Sequence, residues 1–409
     1  MTISRADAAR LDRTDELGFV RERFALPENV IYLDGNSLGP LPKTTPGRLA
    51  EVIEREWGDR LIRSWNEAGW WMAAKRVAAR LAPLLGASAD EIMVADSTSV
   101  NLFKLLMIGA RARPDRSAIV VERHAFPTDV YLAGSVAELV GAELRLIDEP
   151  ADLDAVLDEQ VSVVCLSQVD FRTGAMWNAA RTTARVHEFG ALMLWDLCHS
   201  AGSLDVELAA WDADLAVGCG YKYLNGGPGA PAFCYVAEKL HKNLRTPLPG
   251  WHGHADPFAM SSTYVPADGI GQLANGTPPM LSLLALEDAL GAFADAPATA
   301  LRRKGTALTS LFIDLIDARC PELAVASPRE ADRRGSQVSL RSEHAYGLIA
   351  ALIERGVIGD YRSPDIARFG FPPAYLRFVD VWDAVEVIVD TLTSGDHRAE
   401  RFRVRPTVT

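Results

Sequence analysis

Between residues 90 and 240 the sequence alternates short apolar runs with single stretches of helical pattern. The runs are apolar at consecutive positions, as expected for strands that are buried on both faces of a sheet. Such runs, separated by single helices, predict an α/β fold with a mostly parallel, seven-stranded sheet wrapped in helices. The predicted strands lie at 91–96, 118–122, 142–148, 161–168, 191–196, 215–220 and 232–236.

Two regions fall outside this pattern. The first sixty residues contain a turn-rich segment, DGNSLGPLP, and after about residue 300 the pattern changes to helix, strand, helix, two strands and a closing helix. We therefore predict three parts. An N-terminal segment (1–60) contributes to a smaller domain and to the active site, a large domain spans 61–300, and a small C-terminal α+β domain spans 301–409.

The charge balance argues against several classes of partner. The net charge is −12 and the isoelectric point is near 5.2, whereas nucleic-acid binders usually present a basic face. No apolar stretch resembles a signal peptide or has the length that spans a bilayer. The five cysteines are scattered and form no CxxC pair, which favours neither disulfides nor zinc. We expect a cytoplasmic protein that binds neither nucleic acid nor membrane.

One lysine stands between two tyrosines in GYKYLNGGPG, at the end of a strand-like run. Lys222 would lose hydration there with no obvious gain in stability. Asp196 ends the preceding run, and the carboxyl ends of parallel strands are where α/β sheets bind ligands. Ser97, Thr98 and Ser99 open a helix after another run, where hydroxyls and free amides suit a phosphate group.

A lysine, an acid and a phosphate seat on one edge are the requirements of pyridoxal phosphate. Asp196 would keep the ring nitrogen protonated, and Lys222 would form a Schiff base with the aldehyde and then act as a base. Tyr221 would bind phosphate or donate a proton. Taken singly, these residues also fit a surface turn, a helix cap and a core tyrosine.

The chain resembles the kynureninase family, which are pyridoxal-phosphate enzymes of fold type I in the aspartate-aminotransferase superfamily. The combination of GNSLG, DxxHxxG and YKYLNxGxG is specific, whereas any one alone is weak. The motifs follow the family's order over nearly the whole chain: YLDGNSLGPLP (32–42), TSVN (98–101), FPTD (126–129), RTG (172–174), DLCHSAG (196–202), YKYLNGGPG (221–229) and Trp251.

The resemblance implies a cofactor site in which Lys222, Asp196 and Tyr221 are catalytic. It places Phe126 on the face of the cofactor ring, as an aromatic side chain stacks on a flat cation. The implied cofactor-binding residues are Thr98, Ser99, Phe126, Pro127, Thr128, Asp129, Ser167, Asp196, His199, Tyr221, Lys222, Trp251 and Thr277.

The resemblance also implies a substrate site and an assembly. Arg368 matches the arginine that holds the substrate's α-carboxylate, a task suited to a bidentate guanidinium. The expected assembly is a homodimer with shared active sites, in which Trp251 and Thr277 come from the second subunit. The other implied substrate contacts are Asn36, Ser37 and Trp65.

The implied reaction is hydrolytic cleavage of the Cβ–Cγ bond of L-kynurenine to anthranilate and L-alanine, in tryptophan catabolism.

An aminotransferase remains an alternative, because the same lysine and aspartate would serve it. A cysteine desulfurase needs an exposed reactive cysteine, and no cysteine here has an electropositive setting. A transcription factor of this fold needs a basic DNA-binding module, and this acidic sequence shows no basic helix-turn-helix extension. His252 and His254 have a chelating spacing beside Asp256, but no further ligand is evident, so we expect no metal.

Trp65 and Thr277 predict a preference between two substrates. Animal members of the family carry a histidine near Trp65 and an asparagine in place of Thr277, at positions against the substrate's aryl ring. We therefore expect a higher kcat/KM for L-kynurenine than for 3-hydroxykynurenine when both are assayed side by side. A clear advantage for the hydroxylated substrate would contradict this expectation.

Overall fold

The computed structural model describes residues 3–402 and confirms the predicted α/β fold. The large sheet contains β1 (Ile92–Val94), β2 (Ala118–Glu122), β3 (Glu143–Ile147), β4 (Val161–Ser167), β5 (Leu192–Asp196), β6 (Leu215–Gly218) and β7 (Phe233–Val236). Its order is β1-β7-β6-β5-β4-β2-β3. All neighbouring strands are parallel except the two pairs that include β7.

Strand β4 shows why the apolar runs have no polar face. Val163 and Cys165 belong to one hydrophobic cluster, whereas Val164 and Leu166 belong to another on the opposite face of the sheet. Alternate side chains of a strand point to opposite faces, so both faces must be apolar when helices cover both. Every residue of β4 is buried.

The helices lie before, between and after these strands. The stretch Val52–Asp59 is a π-helix that continues α3. The α-helices are α1 (Arg5–Arg13), α2 (Gly18–Arg21), α3 (Thr45–Glu51), α4 (Ser64–Glu67), α5 (Ala73–Leu85), α6 (Thr98–Ala112), α7 (Pro127–Val140), α8 (Leu153–Val156), α9 (Ala179–Glu188), α10 (Glu238–His241), α11 (Met280–Ala289), α12 (Ala298–Arg319), α13 (Ala345–Glu354) and α14 (Phe378–Ser394).

A second, antiparallel sheet lies in the C-terminal region. Its strands are β8 (Ala324–Val325), β9 (Gln337–Arg341), β10 (Asp360–Arg362) and β11 (Ile366–Gly370), in the order β8-β9-β11-β10. Ser339 of β9 and Asp360 of β10 are both paired with Arg368 of β11. Helices α12 and α13 pack on this sheet, and α14 packs on both helices. This is the smaller α+β unit that the sequence predicts.

The N-terminal segment is hydrogen-bonded to this C-terminal region. Ile31–Tyr32 pairs in parallel with Val357–Ile358, and the amide of Gly370 donates to the carbonyl of Leu33 at 2.7 Å. Within the N-terminal segment, Phe24–Ala25 pairs with Leu41–Pro42 as a short antiparallel ladder. The boundaries at residues 60 and 300 stay predictions, and residues 1–2 and 403–409 lie outside the described part of the chain.

Residues 3–402 contain no helix that is both long enough and apolar enough to cross a membrane.

A buried ion pair ties the N-terminal segment to α12. Asp15 Oδ2 lies 2.7 Å from Lys304 Nζ, and the side chains are only 5% and 4% exposed. Replacing Asp15 with Asn leaves a buried cation without its counter-charge, so we expect the free energy of unfolding to fall by about 3 kcal/mol in urea denaturation.

The neighbouring Glu16 provides the control, because its ion pair with Arg303 is exposed. Glu16→Gln should change the free energy of unfolding by less than about 0.5 kcal/mol. Equal effects of the two substitutions would contradict the role of burial.

Candidate active site

The amine of Lys222 points into the protein at the carboxyl edge of the large sheet. Lys222 Nζ lies 3.0 Å from Nε2 of His199, a buried residue in the loop after β5. Lys222 itself is half-buried and follows β6 by four residues. A structural lysine would turn towards solvent at this position, so the contact favours the interpretation of Lys222 as a functional residue.

Two close backbone approaches hold the Lys222 loop in place. A Cβ atom on Gly39 would lie 2.4 Å from the carbonyl oxygen of Lys222, and the Gly39 amide donates to the carbonyl of Tyr221 at 2.8 Å. Gly202 has a φ of +88°, and a Cβ there would lie 3.0 Å from the carbonyl oxygen of Tyr223. Only glycine allows both contacts, which explains why GNSLG and DLCHSAG end in it.

Two carboxyl groups are buried beside the lysine. Asp196, the last residue of β5, is 7% exposed, and Asp129 in the first turn of α7 is 2% exposed. Burial, followed by the charge of Asp196, raises the pKa of Asp129 well above its usual range, while a hydrogen bond from Ser167 and the charge of Lys222 oppose this. Asp129, Asp196 and Lys222 thus form one electrostatic cluster.

A cavity of about 510 Å³ lies next to this cluster. The N-terminus of α6 opens onto it, where Ser97 Oγ accepts a hydrogen bond from the Val100 amide at 3.3 Å. Burial is the largest of the causes that raise the pKa of Tyr221, which keeps its hydroxyl protonated. The lining residues are Asp96, Ser97, Thr98, Ser99, Tyr221, Pro228, Gly229, Ala230, Pro231, Ala232 and Pro279.

This set of side chains fits pyridoxal 5′-phosphate. Hydroxyls at a helix N-terminus suit the phosphate, and buried carboxyl groups suit a protonated ring nitrogen. Lys222 provides the amine for the aldehyde. Phe126 precedes α7 and meets the ring of Phe171 edge-on at 5.5 Å between centroids. Pro127 and Thr128 form the first turn of α7.

The predicted carboxylate-binding arginine is fully buried in β11. Arg368 Nε and Nη2 donate to the two oxygens of Asp360 at 2.7 and 2.5 Å. Nη1 donates to the Phe171 carbonyl at 2.6 Å, and Nη2 also donates to Ser37 Oγ at 2.9 Å. Asp360 therefore orients the guanidinium, and Ser37 marks the side from which a carboxylate would approach.

Asn36 lies next to this arginine site. Its side chain is completely buried, and among the described residues neither amide atom has a hydrogen-bond partner. Buried amides are normally paired, and Asn36 is covered by protein atoms, since a Cβ on Gly370 would lie 2.1 Å from its Oδ1.

Of the predicted site residues, Thr98, Ser99 and Tyr221 line the cavity, and the others lie outside its lining. Trp251 and Thr277 are exposed and do not line it. Trp251 contacts Trp71, whose ring centroid is 6.1 Å away, and Trp71 in turn contacts Trp65 at 6.1 Å.

The sequence interpretation missed three polar residues of the site: the buried Asp360 and Gln337 and the half-buried Asp34. Asp360 and Gln337 interrupt strand-like runs, and a buried polar residue in a strand is the signal that would have drawn attention to them. Asp34 precedes GNSLG directly. Burial and the charge of Asp360 raise its pKa to about 7, although Ser37, Arg368 and Arg362 oppose the shift.

Proteins of known family match this chain over nearly its full length. Relatives described as kynureninase, from Burkholderia mallei strain SAVP1 and Burkholderia pseudomallei strain 1106a, are each 50% identical over 99% of this chain and 100% of their own length. A kynureninase of Pseudomonas fluorescens is 47% identical with the same coverage. The chain belongs to the kynureninase family. The family model described as the kynureninase C-terminal domain matches residues 301–388.

Solved structures of fold type I enzymes share the fold of this chain. A cysteine desulfurase from Thermococcus onnurineus NA1 has a TM-score of 0.78 at 18% identity, covering 92% of this chain and 98% of its own. A cysteine desulfurase from Escherichia coli has the same TM-score and identity, with coverage of 93% and 99%. A variant of C-DES with glycine linked to its PLP cofactor also has a TM-score of 0.78, at 17% identity and coverage of 90% and 98%.

Asp34 should make stability depend on pH. Its pKa of about 7 in the fold exceeds the value of about 3.9 in an unfolded chain. The contribution of Asp34 to the free energy of unfolding is therefore fully present below about pH 4 and is lost as the pH rises through 7. Asp34→Asn should reduce the difference in unfolding free energy between pH 5 and pH 8 by about 2 kcal/mol, measured by urea denaturation at both values.

Asp295, whose side chain is 87% exposed, provides the control. Asp295→Asn should leave the pH dependence unchanged. An unchanged pH dependence in Asp34→Asn would show that Asp34 titrates as an ordinary carboxyl group.

Proposed function

We propose that the chain hydrolyses the Cβ–Cγ bond of L-kynurenine to anthranilate and L-alanine. The observation that carries the proposal is the cluster of the Lys222 amine with two buried carboxyl groups, beside a hydroxyl-lined cavity. Family membership favours this reaction over the other reactions of pyridoxal-phosphate enzymes, because relatives that match 99% of the chain are named for it. Kynurenine degradation would then belong to tryptophan catabolism.

The proposed cofactor is pyridoxal 5′-phosphate, attached through Lys222. When bound, it supplies an electron sink for the substrate's α-carbon and then for its β-carbon. Asp196 would hold the proton on the ring nitrogen, and Thr98, Ser99 and Tyr221 would bind the phosphate. Asp129, Ser167 and His199 complete its surroundings.

The chain's own residues would move the protons. Once its amine is free, Lys222 is the base that takes the proton from the α-carbon, since a half-buried amine is poorly hydrated and close to the ligand. Tyr221 is the proposed proton donor, because it adjoins Lys222 in the sequence and its hydroxyl is protonated at neutral pH. His199 Nε2 lies 3.0 Å from the Lys222 amine and limits where that amine points.

The proposed substrate contacts lie on the side of Arg368. Its guanidinium would receive the α-carboxylate where Ser37 Oγ now sits at 2.9 Å. Asn36, whose buried amide has no hydrogen-bond partner among the described residues, is a further proposed contact in the same region. Trp65 is the proposed neighbour of the aryl ring.

Cysteine burial separates the proposal from cysteine desulfurase activity. Cys165, Cys219, Cys234 and Cys320 are buried, and Cys198 is half-buried. A desulfurase requires an exposed, reactive cysteine that can attack the substrate's sulfur. These five therefore favour a reaction that uses no thiol.

The proposed assembly is a homodimer with shared active sites in the cytoplasm. Trp251 is 39% exposed and Phe258 is 67% exposed, and their rings contact each other and Trp71 on the surface. Exposed aromatic groups of this size are typical of interfaces. Contact with a second copy would let Trp251 and Thr277 reach the partner's cavity, and free cysteines suit a reducing compartment.

Release of fluorescent anthranilate without a keto acid tests the function. The wild type should release anthranilate from L-kynurenine, and Lys222→Ala should reduce the rate by on the order of 1000-fold or more and remove the visible absorbance of lysine-bound cofactor. Lys242→Ala, an exposed lysine, is the control and should behave as wild type. A wild type that releases no anthranilate, or needs a keto acid to do so, would overturn the proposal.

A further inference from the structure

The side chain of Gln337 reaches from the small sheet into the active site. Gln337 begins β9, is completely buried, and places Oε1 3.0 Å from Nδ1 of His199. These residues are 138 positions apart in the sequence. Gly174, with a φ of +73°, lets Gln337 pack closely, because a Cβ there would lie 2.8 Å from Gln337 Cγ.

The orientation of the Gln337 amide follows from its other neighbours. Its nitrogen lies 3.2 Å from the carbonyl oxygen of Asp170 and 3.0 Å from that of Phe171. Carbonyl oxygens only accept hydrogen bonds, so this end must be the NH₂ group. The end that faces His199 is then the oxygen, which also only accepts. His199 Nδ1 must therefore carry a hydrogen.

The protonation of His199 completes the assignment. Burial, followed by the charges of Lys222 and Arg368, lowers its pKa well below the usual value, so the ring is neutral. A neutral imidazole has a single N–H. With that hydrogen on Nδ1, Nε2 is a bare acceptor that faces Lys222 Nζ at 3.0 Å.

We propose that Gln337 is a positioning residue that fixes His199 in the Nδ1–H tautomer, so that Nε2 offers a lone pair to the Lys222 amine. The opposite tautomer would point an N–H at the amine and remove its acceptor. The consequence for Lys222 chemistry rests on the proposed function, whereas the tautomer itself does not.

The same contacts connect the amine to the carboxylate-binding arginine. The Phe171 carbonyl accepts from Gln337 Nε2 and also from Arg368 Nη1 at 2.6 Å. Gln337 therefore positions His199 against a turn that also holds Arg368. A displaced Gln337 would change the direction of the base relative to the substrate's α-carbon.

The test uses Gln337→Met, which has a similar length but only a weakly accepting sulfur, and Gln337→Glu, which keeps an oxygen towards Nδ1. Ser339→Ala is the matched control, because Ser339 also lies in β9 and hydrogen-bonds the Arg172 carbonyl without touching His199. Two-bond ¹H–¹⁵N spectra of the full-length, [¹⁵N]histidine-labelled protein report the tautomer directly. The His199 signal is assigned by its loss in His199→Gln.

We expect the Nδ1–H tautomer in the wild type, Gln337→Glu and Ser339→Ala, and a shift towards Nε2–H in Gln337→Met. The kcat of Gln337→Met should fall by on the order of 100-fold with a smaller change in KM, and Gln337→Glu should restore part of it. An Nε2–H tautomer in the wild type, or an unchanged tautomer in Gln337→Met, overturns the inference.

If Gln337→Met does not fold, the wild-type spectrum decides alone. The spectrum requires no turnover, so a wild type without anthranilate release would contradict the proposed function and leave the tautomer result standing.

Discussion

Two carboxyl groups, those of Asp129 and Asp196, are withdrawn from water at one edge of the large sheet, where burial and their repulsion raise the pKa of Asp129. Buried like charges are costly, and one way to reduce the cost is a nearby cation. Lys222 lies close enough to affect Asp129, and a protonated pyridine ring would add a second cation. The glycine contacts and buried loops around this edge serve to hold these groups together.

The sequence predicted the parts of the fold that depend on local patterns. All seven strands of the large sheet occur where apolar runs were found, because burial on both faces leaves no room for polar positions. Lys222 and Asp196 could be placed at one edge because parallel strands share their carboxyl ends. Gln337 and Asp360 could not be placed, since their contacts depend on which distant loop meets the small sheet and in which register.

Arg368 shows that the site is assembled from three separate stretches of chain. Its guanidinium contacts Ser37 of the N-terminal segment, Phe171 after β4, and Asp360 of the small sheet. A carboxylate bound there would therefore depend on how these stretches sit relative to one another. Positions of this kind cannot be read from any one motif.

The parallel pairing of Ile31–Tyr32 with Val357–Ile358 also has a consequence for biosynthesis. A ribosome makes the first of these strands early and the second near the end, at about 5–20 residues per second. Residues 31–33 are therefore made many seconds before their partner strand, and all strands of the large sheet are synthesised within that interval. The arginine pocket, which needs Asp360 and Arg368 as well as Ser37, can therefore form only after about nine-tenths of the sequence has been synthesised.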